Sequence, residues 1–311
     1  MTSKALVSIG IPIRNGSKTI KNVLQSIVQQ TYLNLEIVIS DNASTDATYL
    51  ICKEFSLRDS RIKLFRQEYT LNMHENFKFV LEKSSGDYFM WSAADDYRSE
   101  NFVNDCMITL INSTSCAAAT SAEKLGDKDL CFDEISGDKI SRISKFLQKP
   151  YTSYGFFYSI TKTVDAKSFN FPKRPTLAFD WMYVCHLLSI GEIKRVHSCL
   201  TQFSIEGLSH SDKRFSLFRQ SIVHWIYPVL YTSRFILNLF KNDTFKEKEI
   251  IFLILIKINF GLAVSQCKFE ALLTNNKLKK ISIIILTMIF INNKDYYFQI
   301  SMLLKRLFKL T

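Results

Sequence analysis

The first hundred residues alternate between two hydrophobic periods. Leu6–Ile13 is a short apolar run that closes on Pro12 and Ile13, the pattern of a buried strand. From Ser17 to Gln30 the period becomes helical, with Ile20, Val23, Leu24, Ile27 and Val28 on one face and Ser17 as the expected N-cap. Leu35–Ser40 is a second buried strand, followed by the polar loop Asp41–Asp46. Thr48–Phe55 predicts a second helix and Ile62–Arg66 a third strand. Asn76–Lys83 predicts a third helix ending near Gly86, and Tyr88–Trp91 a fourth strand. Strands and helices at this spacing imply an α/β fold with a mostly parallel, doubly wound sheet. Such sheets bind ligands beyond the carboxyl ends of their strands. Arg14-Asn15, Asp41-Asn42 and Asp95-Asp96 follow the first, second and fourth strands, so their loops are expected to converge on one crevice.

Between residues 112 and 180 the pattern is less regular. The aromatic run Tyr154–Tyr158 reads as a strand, Trp181–Ile190 as a helix stopped by a C-cap at Gly191, and Ile193–Phe203 as a further strand. Beyond Asp212 the character changes. Ser221–Phe240, Glu249–Val264 and Leu278–Ile291 are apolar and helical in period. None reads as a clean membrane span. Lys257 and Asn259 interrupt the second, and Ile281–Ile291 is shorter than the ~20 apolar residues a spanning helix needs. Helices lying on a membrane surface, or packing on one another, fit better. The chain thus divides into residues 1–211 and a helical, membrane-proximal region, 212–311.

Charge falls on the same boundary. Of the net +11, almost all lies in residues 212–311, which carry sixteen basic and six acidic side chains against 24 and 23 in residues 1–211. A basic segment rich in Phe, Ile and Leu suits an anionic membrane surface; the plainer alternative is a solvated basic face. Nucleic acid fits less well, because no zinc-ligand spacing is present and the basic residues are interleaved with Ile and Leu. The seven Cys are odd in number and include no C-x-x-C pair, which points to free thiols in a reducing cytosol. Ala5–Ile13 is broken by Pro12 and followed by Arg14, so it reads as the first strand rather than a secretory signal.

An ordered set of motifs runs through this framework. It comprises Val7-Ser-Ile-Gly-Ile-Pro-Ile-Arg-Asn15, Ser26-Ile-Val-Gln-Gln-Thr31, Glu36-Ile-Val-Ile-Ser-Asp-Asn-Ala-Ser-Thr-Asp46, Asn72 and Asn76, Gly86-Asp-Tyr88, and Ala94-Asp-Asp96. Together they resemble the family 2 glycosyltransferases of GT-A fold, closely over residues 5–105 and loosely to about 210. The resemblance implies a Rossmann-like sheet flanked by helices. It also implies inverting transfer from a UDP-, GDP- or dTDP-sugar to a saccharide or polyprenyl-linked acceptor, as in cell-surface polysaccharide synthesis on the inner face of the cell membrane.

Each piece has a chemical reading beside a structural one. Asp41, at a strand end, is placed to accept from a base or ribose, or else to close an Asx-turn. Pro12, Arg14, Asn42, Arg66, Asn72 and Asn76 complete the expected nucleotide-sugar site; Arg66 is about as well explained as an exposed structural residue. Asp95 and Asp96 are expected to hold Mn2+ or Mg2+ against the donor diphosphate, since these ions need only one or two carboxylates besides phosphate oxygens. Acidic residues after a strand also cap helices. The family's first Asp of Asp-x-Asp is Ala93 in this chain, which leaves fewer metal ligands. Asp180, in Ala178-Phe-Asp-Trp181, resembles the family's catalytic base, with a helix N-cap as the alternative. At Phe203-Ser-Ile-Glu-Gly-Leu-Ser209 the chain has Ser204 and Glu206 where relatives often have Arg and His, with His210 nearby. His74, His186, His197 and His224 read as ordinary residues, and Asp46 and Asp87 as loop braces. The Ala93 departure favours a runner-up, a non-catalytic sugar-nucleotide-binding or membrane scaffold protein derived from such an enzyme.

Overall fold

The computed structural model describes residues 5–130, 135–150, 155–204 and 227–273, together with Phe218 and His224. Four strands form its parallel half: β1 (Val7–Ile13), β2 (Leu35–Asp41), β3 (Ile62–Arg66) and β4 (Tyr88–Trp91). They lie in the order β3-β2-β1-β4, with Ile13 opposite Asp41 and Asp41 opposite Arg66. Helices α1 (Ile20–Val28), α2 (Thr48–Arg58) and α3 (Met73–Lys83) connect them. Every residue of β2 is buried, as expected of a strand covered on both faces. Ile20, Val23, Leu24 and Ile27 of α1 pack into the same core.

The other half of the sheet is mixed. After β5 (Tyr97–Arg98) and α4 (Phe102–Ile111) come β6 (Cys116–Leu125), β7 (Lys128–Leu130) and α5 (Lys139–Gln148). Then follow β8 (Ile160–Lys162), α6 (Thr163–Lys167), α7 (Phe179–Ile190) and β9 (Glu192–Phe203). β8 runs antiparallel to both β4 and β6, β6 runs parallel to β9, and β5 closes the edge antiparallel to β9. The last described elements are α8 (Leu230–Leu239) and α9 (Phe245–Leu273). The chain forms two compact units, Met1–Pro175 with Tyr183–Gly207 and Thr176–Met182 with Leu208–Thr311.

Several local expectations change. Thr19, not Ser17, precedes α1, because residues 16–19 form a turn in which the Thr19 and Ile20 amides both donate to the Gly16 carbonyl. α3 starts three residues earlier than its apolar period, since Asn72 and Glu75 form a reciprocal capping box. Residues 155–158 are turns rather than a strand; Phe157 stacks flat on Trp91 at 5.1 Å, so the aromatic density belongs to core packing. Gly191 is not in the left-handed conformation. It is required for space, because a Cβ there would lie 2.6 Å from the Ser115 carbonyl oxygen. The segment Glu249–Val264 is the middle of a 29-residue α9, of which Phe245–Cys267 is long and apolar enough to cross a membrane by length and composition. Yet Ile251, Phe252, Leu255, Asn259 and Cys267 are buried in the protein. The predicted helix Leu278–Ile291, Tyr154, most of 205–226, Glu206 and His210 lie outside the described residues.

Candidate functional site

Three loops at the carboxyl ends of the parallel strands are tied together by hydrogen bonds. After β1, Asn15 takes a left-handed φ of 53° and its side-chain oxygen accepts from the Thr45 amide at 2.9 Å. The Asn15 amide donates to Ser44 Oγ at 2.9 Å, and the Gly16 amide to Thr48 Oγ1 at 2.8 Å. Asp46 accepts from the Ser17 and Thr48 amides. Burial opposes its ionisation, but these bonds and the Thr48 hydroxyl outweigh it and hold the carboxyl below its usual range. Thr19 Oγ1 donates to the Ala94 carbonyl at 2.7 Å, joining the loop after β4 to the other two. The polar stretch after β2 is thus a brace as well as a candidate binding loop.

Asp41 ends β2 with no exposed surface. One carboxylate oxygen closes an Asx-type turn on the Ser44 amide at 3.4 Å and lies 3.6 Å from Arg66 Nε. The other is buried with no hydrogen-bond partner among the described residues. A buried carboxylate oxygen without a donor is costly unless something fills it. Arg66, half exposed, lies with its guanidinium carbon 4.4 Å over the Tyr49 ring. Pro12, in β1 opposite Ser40, is half-buried, and Arg14 is exposed.

The expected asparagines serve the scaffold. Asn42 accepts from the Leu71 amide at 2.7 Å and donates to the Leu71 carbonyl at 3.0 Å. Asn76 accepts from Ser40 Oγ at 2.6 Å and donates to the Ser40 carbonyl. Asn72 caps α3. Bonding capacity on this side of the loops therefore lies with one oxygen of Asp41 and with the half-exposed Arg66, which already donates to the Ser44 carbonyl at 3.4 Å.

Asp95 and Asp96 sit in the loop between β4 and β5, and neither caps a helix. Asp96 is 4% exposed and accepts from the Ser204 amide at 3.2 Å. Asp95 is half-buried, and no other described residue donates a hydrogen bond to its carboxylate. Burial pushes Asp96 up to about 6, with Arg98 pulling the other way and Asp95 adding to the rise; burial also raises Asp95. No group of three or more His, Cys, Asp or Glu among the described residues is arranged to hold a metal. Two adjacent carboxylates, desolvated and short of donors, nevertheless fit an ion such as Mn2+ or Mg2+ that takes its remaining ligands from phosphate and water. Arg98 escaped the sequence reading, although a basic residue two positions after an acidic pair is a visible signal. It is 2% exposed and donates to Ser92 Oγ at 2.7 Å. Tyr49, in the first turn of α2, escaped it too and carried no signal.

Asp180 belongs to the second unit and lies inside the first turn of α7, after its first residue Phe179. Its side chain reaches solvent, but surrounding protein strips enough water from the carboxylate to push it up to about 6, against hydrogen bonds from first-turn amides. Trp181 is a buried core residue.

A model of the family described as Glycosyl transferase family 2 matches residues 8–163, half of the chain. The first curated relatives are matched over only 23%, 33% and 32% of their own length. One relative, the Escherichia coli UDP-Glc:alpha-D-GlcNAc-diphosphoundecaprenol beta-1,3-glucosyltransferase WfgD, is 37% identical over 91 residues, 29% of this chain and 35% of that protein. Among solved structures, Staphylococcus aureus TarS 1–349 in complex with UDP aligns over 87% of this chain and 75% of its own, with a TM-score of 0.62 and 16% identity. The mannosyltransferase PcManGT from Pyrobaculum calidifontis, in complex with GDP-Man and Mn2+, covers 98% of this chain and 88% of its own, with a TM-score of 0.53 and 13% identity. At these identities the structural likeness establishes the GT-A fold.

Proposed function

The chain belongs to glycosyl transferase family 2, and on that premise we propose that it moves a sugar, with inversion, from a nucleoside-diphosphate donor to a lipid-linked saccharide in polysaccharide synthesis. The observation that carries this reading is the buried, unpartnered oxygen of Asp41 at the meeting of three braced loops. An N–H of a nucleobase or a ribose hydroxyl would complete it, and Arg66 beside Tyr49 would hold the same nucleotide. Pro12 and Arg14 would wall the base. Asn42, Asn72 and Asn76 would act indirectly, by fixing the loops.

The donor diphosphate falls to the Asp95-Asp96 loop in this reading. A Mn2+ or Mg2+ ion held by these two residues would offset charge on the departing nucleoside diphosphate. Asp180 is proposed to accept the proton of the acceptor hydroxyl as its oxygen bonds to the anomeric carbon. The bond from that carbon to the diphosphate oxygen breaks in the same step, and the electron pair leaves with the phosphate. A carboxyl titrating near 6 is ionised at neutral pH yet basic enough to share a proton in the transition state.

The acceptor class is supported by WfgD, whose name gives UDP-Glc as donor and a diphosphoundecaprenol-linked sugar as acceptor. A lipid-linked acceptor suits a protein peripheral on the cytoplasmic face of the membrane. Residues 212–311 would supply the contact, with Lys246, Ile250, Leu253 and Lys257 of α9 all exposed. Ala93 favours one second reading, a nucleotide-sugar-binding descendant without turnover. Transfer to a diphosphoundecaprenyl-linked N-acetylglucosamine, assayed with a panel of UDP-, GDP- and dTDP-sugars, separates the two. The enzyme reading predicts a product of inverted anomeric configuration that Asp180→Asn does not make. Donor binding without product from any sugar supports the second reading.

A further inference from the structure

The residues leading into α7 carry a strained turn. Ala178 has a φ of 60°, a conformation uncommon for any residue with a Cβ. It stands two positions before Asp180, and its carbonyl accepts the first-turn amide of Met182 at 3.3 Å. Such backbone persists only where neighbouring groups over-determine it.

The neighbour here is Thr232 of α8, in the same unit. Thr232 is fully buried, and its hydroxyl donates to the Leu177 carbonyl at 2.6 Å, with the Ala178 carbonyl at 3.5 Å. α8 is itself pinned by α9. The buried Asn259 side chain accepts from the Val229 amide at 3.0 Å and donates to Ser233 Oγ at 3.0 Å. A continuous hydrogen-bonded path therefore runs from α9 through the start of α8 to the turn that carries Asp180. Adjacent residues divide the work, Thr232 facing the turn and Ser233 facing Asn259.

We propose that Thr232 is a positioning residue for catalysis: its hydroxyl holds the left-handed turn at Ala178 and so directs Asp180. The C-terminal unit then contributes to turnover as well as to any membrane contact. This rests on the reading of Asp180 as the base.

The test uses the full-length protein, with UDP-glucose as donor and water as acceptor. Thr232→Val keeps the shape and removes the hydroxyl, whereas Thr232→Ser keeps the hydroxyl. Ala178→Gly removes the strain, because glycine adopts positive φ freely. Thr232→Val is expected to slow UDP release by about tenfold to a hundredfold, the scale of a misdirected catalytic group, while UDP affinity changes less than about twofold. Hydrogen exchange at the Met182 amide is expected to accelerate in the same variant. Thr232→Ser, and the double variant Thr232→Val with Ala178→Gly, are expected to restore both readouts. A Thr232→Val protein with unchanged exchange at Met182 overturns the proposal, whether or not UDP-glucose is turned over. So does a slowing that is absent from neither the Thr232→Ser protein nor the double variant. Asp180→Asn separates the two claims. Undiminished turnover in that variant sinks the base reading, whereas an inactive Asp180→Asn beside a fully active Thr232→Val sinks only the positioning role.

Discussion

The two ends of β2 each bury a carboxylate, and the two are treated differently. At its N-terminal end, Glu36 accepts from the Ser85 amide at 2.8 Å, Ser85 Oγ at 2.7 Å, Ser8 Oγ and Lys63 Nζ. Burial works against its ionisation, but the Lys63, Ser8 and Ser85 bonds prevail and bring it down to about 2. At the carboxyl end, Asp41 has one oxygen in a turn and the other with no donor among the described residues. Both side chains are almost free of solvent, so burial alone does not distinguish structure from function. Satisfaction does. Glu36 is closed and ties β1, β2 and β3 to the segment that precedes β4, while Asp41 keeps capacity where the loops meet.

The most forceful way to break this contrast is to exchange the phenotypes. Asp41→Ala is expected to weaken nucleotide binding about tenfold to a hundredfold, the worth of a hydrogen bond to a charged group, with little loss of stability. Glu36→Gln is expected to do the reverse. It should cost about 2 kcal/mol in denaturant unfolding, with Lys63 discounted because it is half exposed, and leave nucleotide affinity unchanged. Acid sharpens the comparison. Because the folded pKa of Glu36 is depressed, its stabilisation is present above the unfolded value of 4.5 and is lost as pH falls toward about 2. Glu36→Gln should flatten unfolding curves across that window. As the proposed base, Asp180 would act only when ionised, and burial raises its pKa, so turnover is expected to rise with pH through about 6. Asp96 titrates in the same region and must be separated by metal titration of donor binding. The smallest effect expected is for Tyr49→Leu, which removes a cation–π contact worth about 0.5–1 kcal/mol and should weaken nucleotide binding a few-fold.

The same contrast explains how much was legible from residues alone. Buried parallel strands advertise themselves as unbroken apolar runs, and β1 to β4 lie within a residue of their expected spans. Helix starts were less visible, because they depend on turns and caps that precede the apolar period. Ser17 falls inside a turn that starts at Gly16 and delays α1, whereas Asn72 caps α3 through a local pairing with Glu75. The aromatic run before Tyr158 was misleading, since clustered rings pack a core as readily as they build a strand. Within the candidate site the acidic residues stood out by motif. Arg66 stood out with them, but its seat over Tyr49 did not, nor did Arg98 on Ser92 or Thr232 on Leu177, because these are contacts made by the fold. Asn42 and Asn76 show the converse, motif positions whose side chains hold backbone rather than project free donors.

The central claim, that the carboxyl end of β2 receives a nucleotide whose diphosphate meets Asp95 and Asp96, is tested most directly by calorimetric titration. UDP, GDP and dTDP would be added to the full-length protein with and without Mn2+, beside Asp41→Ala and Asp95→Ala. One nucleotide is expected to bind in a Mn2+-dependent manner, with affinity reduced in Asp41→Ala and the metal dependence lost in Asp95→Ala. Absence of binding by all three nucleotides, or binding unchanged in both variants, would contradict it.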